Sequence, residues 1–147
     1  MIILGVDPGA SGGIAGINRD GKLLVLSKTD NLRTMWDVMA VAGRSDDARA
    51  YLESVHSMPR DGVRSAFSFG KSYGNLEALL VAAEIPFERV TPSVWQKEFG
   101  LIKRKGETHT QKKNRHKALA QEMFPSVKVT HAVADALLIA EYGRRQK

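Results

Sequence analysis

The opening of the chain restricts its fold more than any other stretch. Ile2 to Asp7 is an apolar run that ends on a carboxylate and meets Pro8-Gly9-Ala10-Ser11-Gly12-Gly13. The run reads as a buried strand and the glycines as a tight turn. Ile14 to Asn18 resumes the apolar character, Asp20-Gly21 is a hairpin signal, and Leu23 to Leu26 supplies a third strand. Strands joined by turns this short run antiparallel, so the chain begins as a meander.

Beyond the meander the pattern changes period. Asn31 is placed to cap a helix through Ala42, where Leu32, Met35, Trp36, Met39 and Ala40 recur at helical spacing. Ala48 to Val55 alternates as a strand, and Met58 to Ser65, with Pro59 and Asp61-Gly62, reads as a loop. Phe67 to Glu84 is helical, with Leu76, Leu79, Leu80 and Ala83 on its apolar side; Pro86 to Val90 is a strand. Pro92 opens a short helix. Lys103 to Glu107 is a charged loop, Thr110 to Phe124 a helix, and His131 to Gly143 a last helix stopped by its glycine. The order β-β-β-α-β-α-β-α-α-α predicts an α/β fold. Its mixed five-stranded sheet has three antiparallel strands, then parallel additions, flanked by helices.

At 147 residues the chain is the size of one domain, taken as 1–147. It has no cysteine, which removes disulfide frameworks, thiolate metal sites and cysteine nucleophiles and agrees with a cytoplasmic protein. The opening residues meet a carboxylate too early for a signal peptide, and no run has the roughly 18 apolar residues of a membrane span. The net charge is +6. All of it lies between Trp95 and Lys117, where eight Lys and Arg face two acids. A neutral body carrying one cationic segment points to a polyphosphate partner before a membrane.

Four residues stand where a solvated side chain is not the obvious reading. Asp7 ends an apolar strand, Glu53 is flanked by strand residues, and His131 and Asp135 share a face at the start of an apolar helix. Each alone has an ordinary reading as turn former, exposed strand residue or helix-start residue. Together, strand ends and a helix start can converge on one sheet edge. Three carboxylates there suit a hard divalent cation; without one, at least one acid must hold a proton.

"GVDPG" at the N-terminus, "AYLESV" after the first helix and "HAVADALLIA" near the C-terminus resemble the RuvC-type Holliday junction resolvases, particularly phage-borne members. The resemblance implies an RNase H-like fold of the retroviral-integrase superfamily. It also implies a metal-dependent endonuclease that resolves four-way or branched DNA by paired nicks, leaving 5′-phosphate and 3′-hydroxyl ends, in a bacterial or phage-infected cell. By resemblance Asp7, Glu53, His131 and Asp135 are the catalytic metal ligands for two Mg²⁺ ions, with Mn²⁺ possible because His131 stands where members carry a second acid or a histidine. Lys112 or Lys113 lies nearest the family's catalytic lysine, with Lys112 taken as that residue.

The same resemblance makes the segment after Glu53 a probe of unstacked bases. His56 takes the stacking position by offset, with Phe67 and Phe69 as competitors; Phe67 also reads as core. Arg60, Arg64 and Lys71 would meet phosphates, joined by Lys97, Lys105, Lys112 and Lys113 from the cationic segment. Gly9, Gly12 and Gly13 are not followed by the Gly-Lys-Ser/Thr of a phosphate-binding loop, so no nucleotide cofactor is expected. The two-fold symmetry of a four-way junction implies a homodimer, with the helix from Phe69 to Glu84 as interface. A flap or replication-fork nuclease on the same site, and a catalytically weak junction-binding protein, remain the alternatives.

Overall fold

A computed structural model describes residues 1–56 and 62–146. In chain order its elements are β1 (Ile2–Asp7), β2 (Gly13–Ile17), β3 (Leu23–Lys28), α1 (Leu32–Ala42), β4 (Ala48–Glu53), α2 (Val63–Ala82), β5 (Phe87–Val90), α3 (Pro92–Glu98), α4 (His109–Met123) and α5 (His131–Arg145). The sheet order is β3-β2-β1-β4-β5. β1, β2 and β3 form the antiparallel meander, while β4 runs parallel to β1 and β5 parallel to β4. This is the mixed sheet that the element order predicts. Asn31 caps α1 by accepting from the Thr34 backbone N–H, and Thr108 with Gln111 forms a reciprocal capping box on α4.

Both faces of the sheet are covered, and strand periodicity divides them. Leu4 and Val6 of β1 and Ala48, Ala50 and Leu52 of β4 pack with Met35 and Met39 of α1 and Leu76 and Leu80 of α2. Ile3 of β1 and Tyr51 of β4 face the other way, against Leu137, Ala140 and the rest of α5. Successive strand residues alternate faces, so Asp7 shares the side of Ile3 and Gly5, and Glu53 that of Tyr51. Both strand-end acids therefore belong to the face that α5 covers.

Helix α5 lies against the sheet at unusually close range. A Cβ on Gly5 would collide with the Ala136 carbonyl and the Ala140 backbone nitrogen. At the far end of α5, a Cβ on Gly143 would strike the Tyr51 ring. Gly143 is accordingly not the stop that it resembles in the sequence: the helix continues to Arg145, and the glycine serves close approach.

Other boundaries also move. The strand expected from Ala48 to Val55 ends at Glu53. The loop expected from Met58 to Ser65 gives way to helix at Val63, immediately after an extended Gly62, because Arg64 and Ser65 contain nothing that breaks a helix. Met58 and Arg60 lie outside the described residues. No helix among the described residues is long and apolar enough to cross a membrane.

Since the obstacle at Gly5 is backbone rather than a movable side chain, Gly5→Ala is expected to cost about 3 kcal/mol and to lower Tm by about 6–12 °C, measured by thermal denaturation. An unchanged Tm would show that α5 has room to lift from β1.

Candidate functional site: a carboxyl cluster at the sheet edge

Asp7 and Glu53 are the residues following the paired Val6 and Leu52 on adjacent parallel strands. Asp135 enters from α5, one residue before the Ala136 carbonyl that abuts Gly5. Strand pairing thus sets the first two side by side, and helix packing brings the third. The Asp7 and Glu53 carboxyl groups hydrogen-bond one another, and both feel the charge of Asp135.

The electrostatics follow. Burial pushes Asp7 well above the usual carboxylate range; Glu53 and Asp135 push it further, and Lys113 opposes them. Burial likewise raises Glu53. The hydrogen bond from Trp95, the one shared with Asp7 and the charge of His116 pull it back, while Asp135 adds to the rise. Both carboxyl groups are thereby driven toward the protonated form, Asp7 the more strongly. This is what mutually repelling acids do without a compensating cation.

Two aromatic donors hold the remaining cluster. The Trp95 indole N–H donates to Glu53 Oε1 at 2.9 Å. His116 Nδ1 lies 2.7 Å from Asp135 Oδ1. The two rings meet edge to face with centroids 5.5 Å apart. The sequence reading missed both residues, though signals existed. A buried tryptophan needs an acceptor for its N–H, and His116 is in helical phase with Leu119, Ala120 and Met123 on the inner side of α4.

Other expected site residues are placed differently. His131 is exposed, and its Nε2 lies 2.9 Å from Asn114 Oδ1. Lys112 donates to Oε1 of the buried Gln96 at 2.8 Å, whereas its neighbour Lys113 is the lysine that acts on Asp7. A one-residue step turns a helical side chain by about 100°, which is why the two adjacent lysines serve different places.

The turn after Asp7 is tied down from two sides. Thr29 Oγ1 donates to the Gly9 carbonyl at 2.6 Å, and the Gly9 N–H donates to Ser72 Oγ of α2 at 3.3 Å. Beside this turn runs a cleft of ≈ 710 Å³, lined by Ala10, Thr29, Asp30, Arg64, Ser68 and Phe69 among others. Arg64, Lys71 and His56 are exposed, as are Lys97, Lys105 and Lys113 on the α3–α4 segment. Phe67, which also reads as core, is 74% exposed. The charged loop before α4 is held in shape by Arg115, which pairs with Glu107 and donates to the Ile102 carbonyl at 3.1 Å. The Arg115 hydrogen bond, with one from the Arg104 backbone, holds the Glu107 carboxyl down to about 2.

The donor chemistry of Asp7, Glu53 and Asp135 fits a hard divalent cation: three carboxyl groups at one sheet edge, with the proton affinities of Asp7 and Glu53 raised by burial and mutual repulsion. In the arrangement adopted here, no group of three His, Asp or Glu side chains among the described residues is gathered tightly enough to hold a metal ion.

No protein-family model matches the chain, and no curated protein does. Solved structures do. A structure of RuvC from Thermus thermophilus superposes with a TM-score of 0.62 at 17% identity, covering 95% of this chain and 91% of that one. The same organism's RuvC in complex with a Holliday junction substrate gives a TM-score of 0.64 at 16% identity over 95% and 90% of the respective chains. The chain therefore has the RNase H-like fold of the RuvC-type Holliday junction resolvases.

Proposed function

We propose that this protein is a structure-selective endonuclease that resolves four-way or branched DNA junctions by paired nicks, leaving 5′-phosphate and 3′-hydroxyl ends. The observation that carries this reading is the cluster of half-buried Asp7 and Asp135 about the buried Glu53, bordered on the α3–α4 side by the segment that holds the whole net positive charge. The similarity to a RuvC bound to a Holliday junction supports the choice of substrate.

Asp7, Glu53 and Asp135 would hold the divalent ions, Mg²⁺ or Mn²⁺, two per site. When bound, such ions supply Lewis acidity that activates water and offsets charge on the scissile phosphate. The protein does the rest. Lys113 places a positive charge beside Asp7, where phosphate oxygens would approach, and Gln96 anchors Lys112 at the flank. Lys97 and Lys105, with Arg64 and Lys71 of α2, are exposed to meet backbone phosphates on either side. The pinned turn at Gly9 keeps Asp7 from drifting as substrate arrives. His131, on the rim, stands ready to orient a phosphate or a proton through its Asn114 partner.

Paired nicks require two sites, and the outer face of α2 supports a homodimer. The interface expected from the apolar side of this helix needs a different face, because Leu76 and Leu80 are spent on the core. Val63, Phe67, Gly70, Gly74, Ala78 and Val81 instead form an exposed stripe at helical spacing, with Val63 87% and Val81 66% exposed. Among the described residues, nothing lies within 4 Å of a Cβ built on Gly70 or Gly74. Two copies of such a stripe can close to short range about a two-fold axis.

That no tight metal-holding group is formed among the described residues favours one second reading, a junction-binding protein with little catalysis. Nicking of a mobile four-way junction, mapped on all strands with Mg²⁺ and with Mn²⁺, decides between them. Symmetric nicks in opposing strands are expected; binding without nicks selects the second reading. Asp7→Asn is expected to cut the nicking rate by at least about 100-fold while leaving junction binding intact, and retained turnover would remove Asp7 from the chemistry.

Asp7 also fixes a pH dependence. Its folded pKa lies above the unfolded value, so the folded protein keeps a proton that the unfolded chain has released. Stability is therefore lost as pH climbs from about 4 through the raised value. In metal-free buffer, Asp7→Asn should be more stable than wild type at about pH 8, with the gain vanishing near pH 4; urea denaturation at both values measures it. At the dimer stripe, Gly74→Glu is expected to give folded monomers by analytical ultracentrifugation and to uncouple the two nicks. A persistent dimer would place the interface elsewhere.

A further inference from the structure

The cationic segment that the sequence presents as a DNA-facing surface also has an inner side, and that side reaches the carboxyl cluster. Trp95 is fully buried and gives its indole N–H to one oxygen of Glu53. His116, 4% exposed, engages one oxygen of Asp135 through Nδ1. The two rings are in edge-to-face contact, so displacement of either is felt by the other. Each ring thus engages one oxygen of its carboxyl group.

The state of His116 is informative. Its Nε2 is buried with no hydrogen-bond partner among the described residues. Buried polar atoms without partners are uncommon in proteins, and an aliphatic side chain would fill this place without one. Keeping an imidazole here makes physical sense if the Nδ1–H toward Asp135 is what matters and the bare Nε2 is its by-product.

We propose that Trp95 and His116 act as one positioning unit, fixing the carboxylates of Glu53 and Asp135 so that their remaining oxygens are presented to divalent cations. The proposal rests on the reading of the carboxyl cluster as a cation site. Neither ring is a ligand. Their task is to limit carboxylate rotation, the role that outer hydrogen-bond donors play around metal sites generally. It gives α3 and α4 two duties: lysines outward to DNA, aromatic donors inward to the acids.

The test uses metal-free full-length protein titrated with Mn²⁺ alone, read by the electron paramagnetic resonance of the free ion. Trp95→Phe keeps the ring and removes the N–H; His116→Leu keeps volume and removes the donor; His116→Asn keeps a donor near the Nδ1 position and sacrifices volume. Trp95→Phe and His116→Leu are expected to weaken Mn²⁺ binding by about 10–100-fold. His116→Asn should recover most of the affinity, and junction binding in chelator should be unchanged in all three. A purely packing role predicts the reverse order, with Leu better than Asn, and that order would overturn the proposal, as would Trp95→Phe binding Mn²⁺ like wild type.

A second measurement needs no variant at the site to fold. Of the two tryptophans, Trp95 lies in this unit and Trp36 on α1, packed on the opposite face of the sheet. Addition of Mg²⁺ should shift the Trp95 indole N–H resonance and leave that of Trp36 in place. A Trp95 resonance that stays put while wild type takes up Mn²⁺ overturns the positioning role alone. Wild type that takes up no Mn²⁺ overturns the cation site, and the positioning role with it.

Discussion

The structure depends on the contact between helix α5 and strand β1 at Gly5. Backbone meets backbone there, with no side chain between. Because Asp135 immediately precedes the helix residue at the contact, the depth of this packing sets how far its carboxyl reaches toward Asp7. A helix held off by even one methyl group would carry Asp135 away from the sheet edge. The same helix seals one core with Val133, Leu137 and Ala140, so the contact that builds the site is also one the fold cannot relax without losing buried apolar surface.

What the packing assembles is unfavourable taken by itself. Three acids are drawn together in a place poor in water, and burial with like charge drives Asp7 and Glu53 toward the protonated form. The fold answers with hydrogen-bonding rings and a nearby lysine: Trp95 on Glu53, His116 beside Asp135, Lys113 within reach of Asp7. Such an arrangement offsets part of the repulsion and leaves the rest to whatever positive charge arrives. Dense local negative charge inside a basic surface suits a site that must attract both cations and a polyanion.

Much of this was legible from residue order. The apolar run of the first strand, the Asp20-Gly21 turn and the helical spacing of Met35 and Met39 all report local preferences, and the mixed sheet follows from short turns and strand–helix crossovers. Asp7, Glu53 and Asp135 stood out because a carboxylate in an apolar element is costly. His131 stood out by sharing a helix face with Asp135, yet it turns to Asn114 at the surface. Helical phase says which residues share a face, not which neighbour each finds. The outer stripe of α2 escaped notice for a similar reason: glycine and alanine carry no hydrophobic signal, and only the packed helix shows which side remains uncovered.

The sequence by itself determined the elements, their order and the three acids, since these are consequences of local periodicity and of the cost of burying charge. Only the tertiary structure decided which partners those acids have. Trp95 and His116 stand 42 and 19 residues from the carboxyl groups they hold. Their assignment depends on how α3 and α4 seat against the sheet and α5, a matter of shape complementarity among distant surfaces that no window of neighbouring residues encodes.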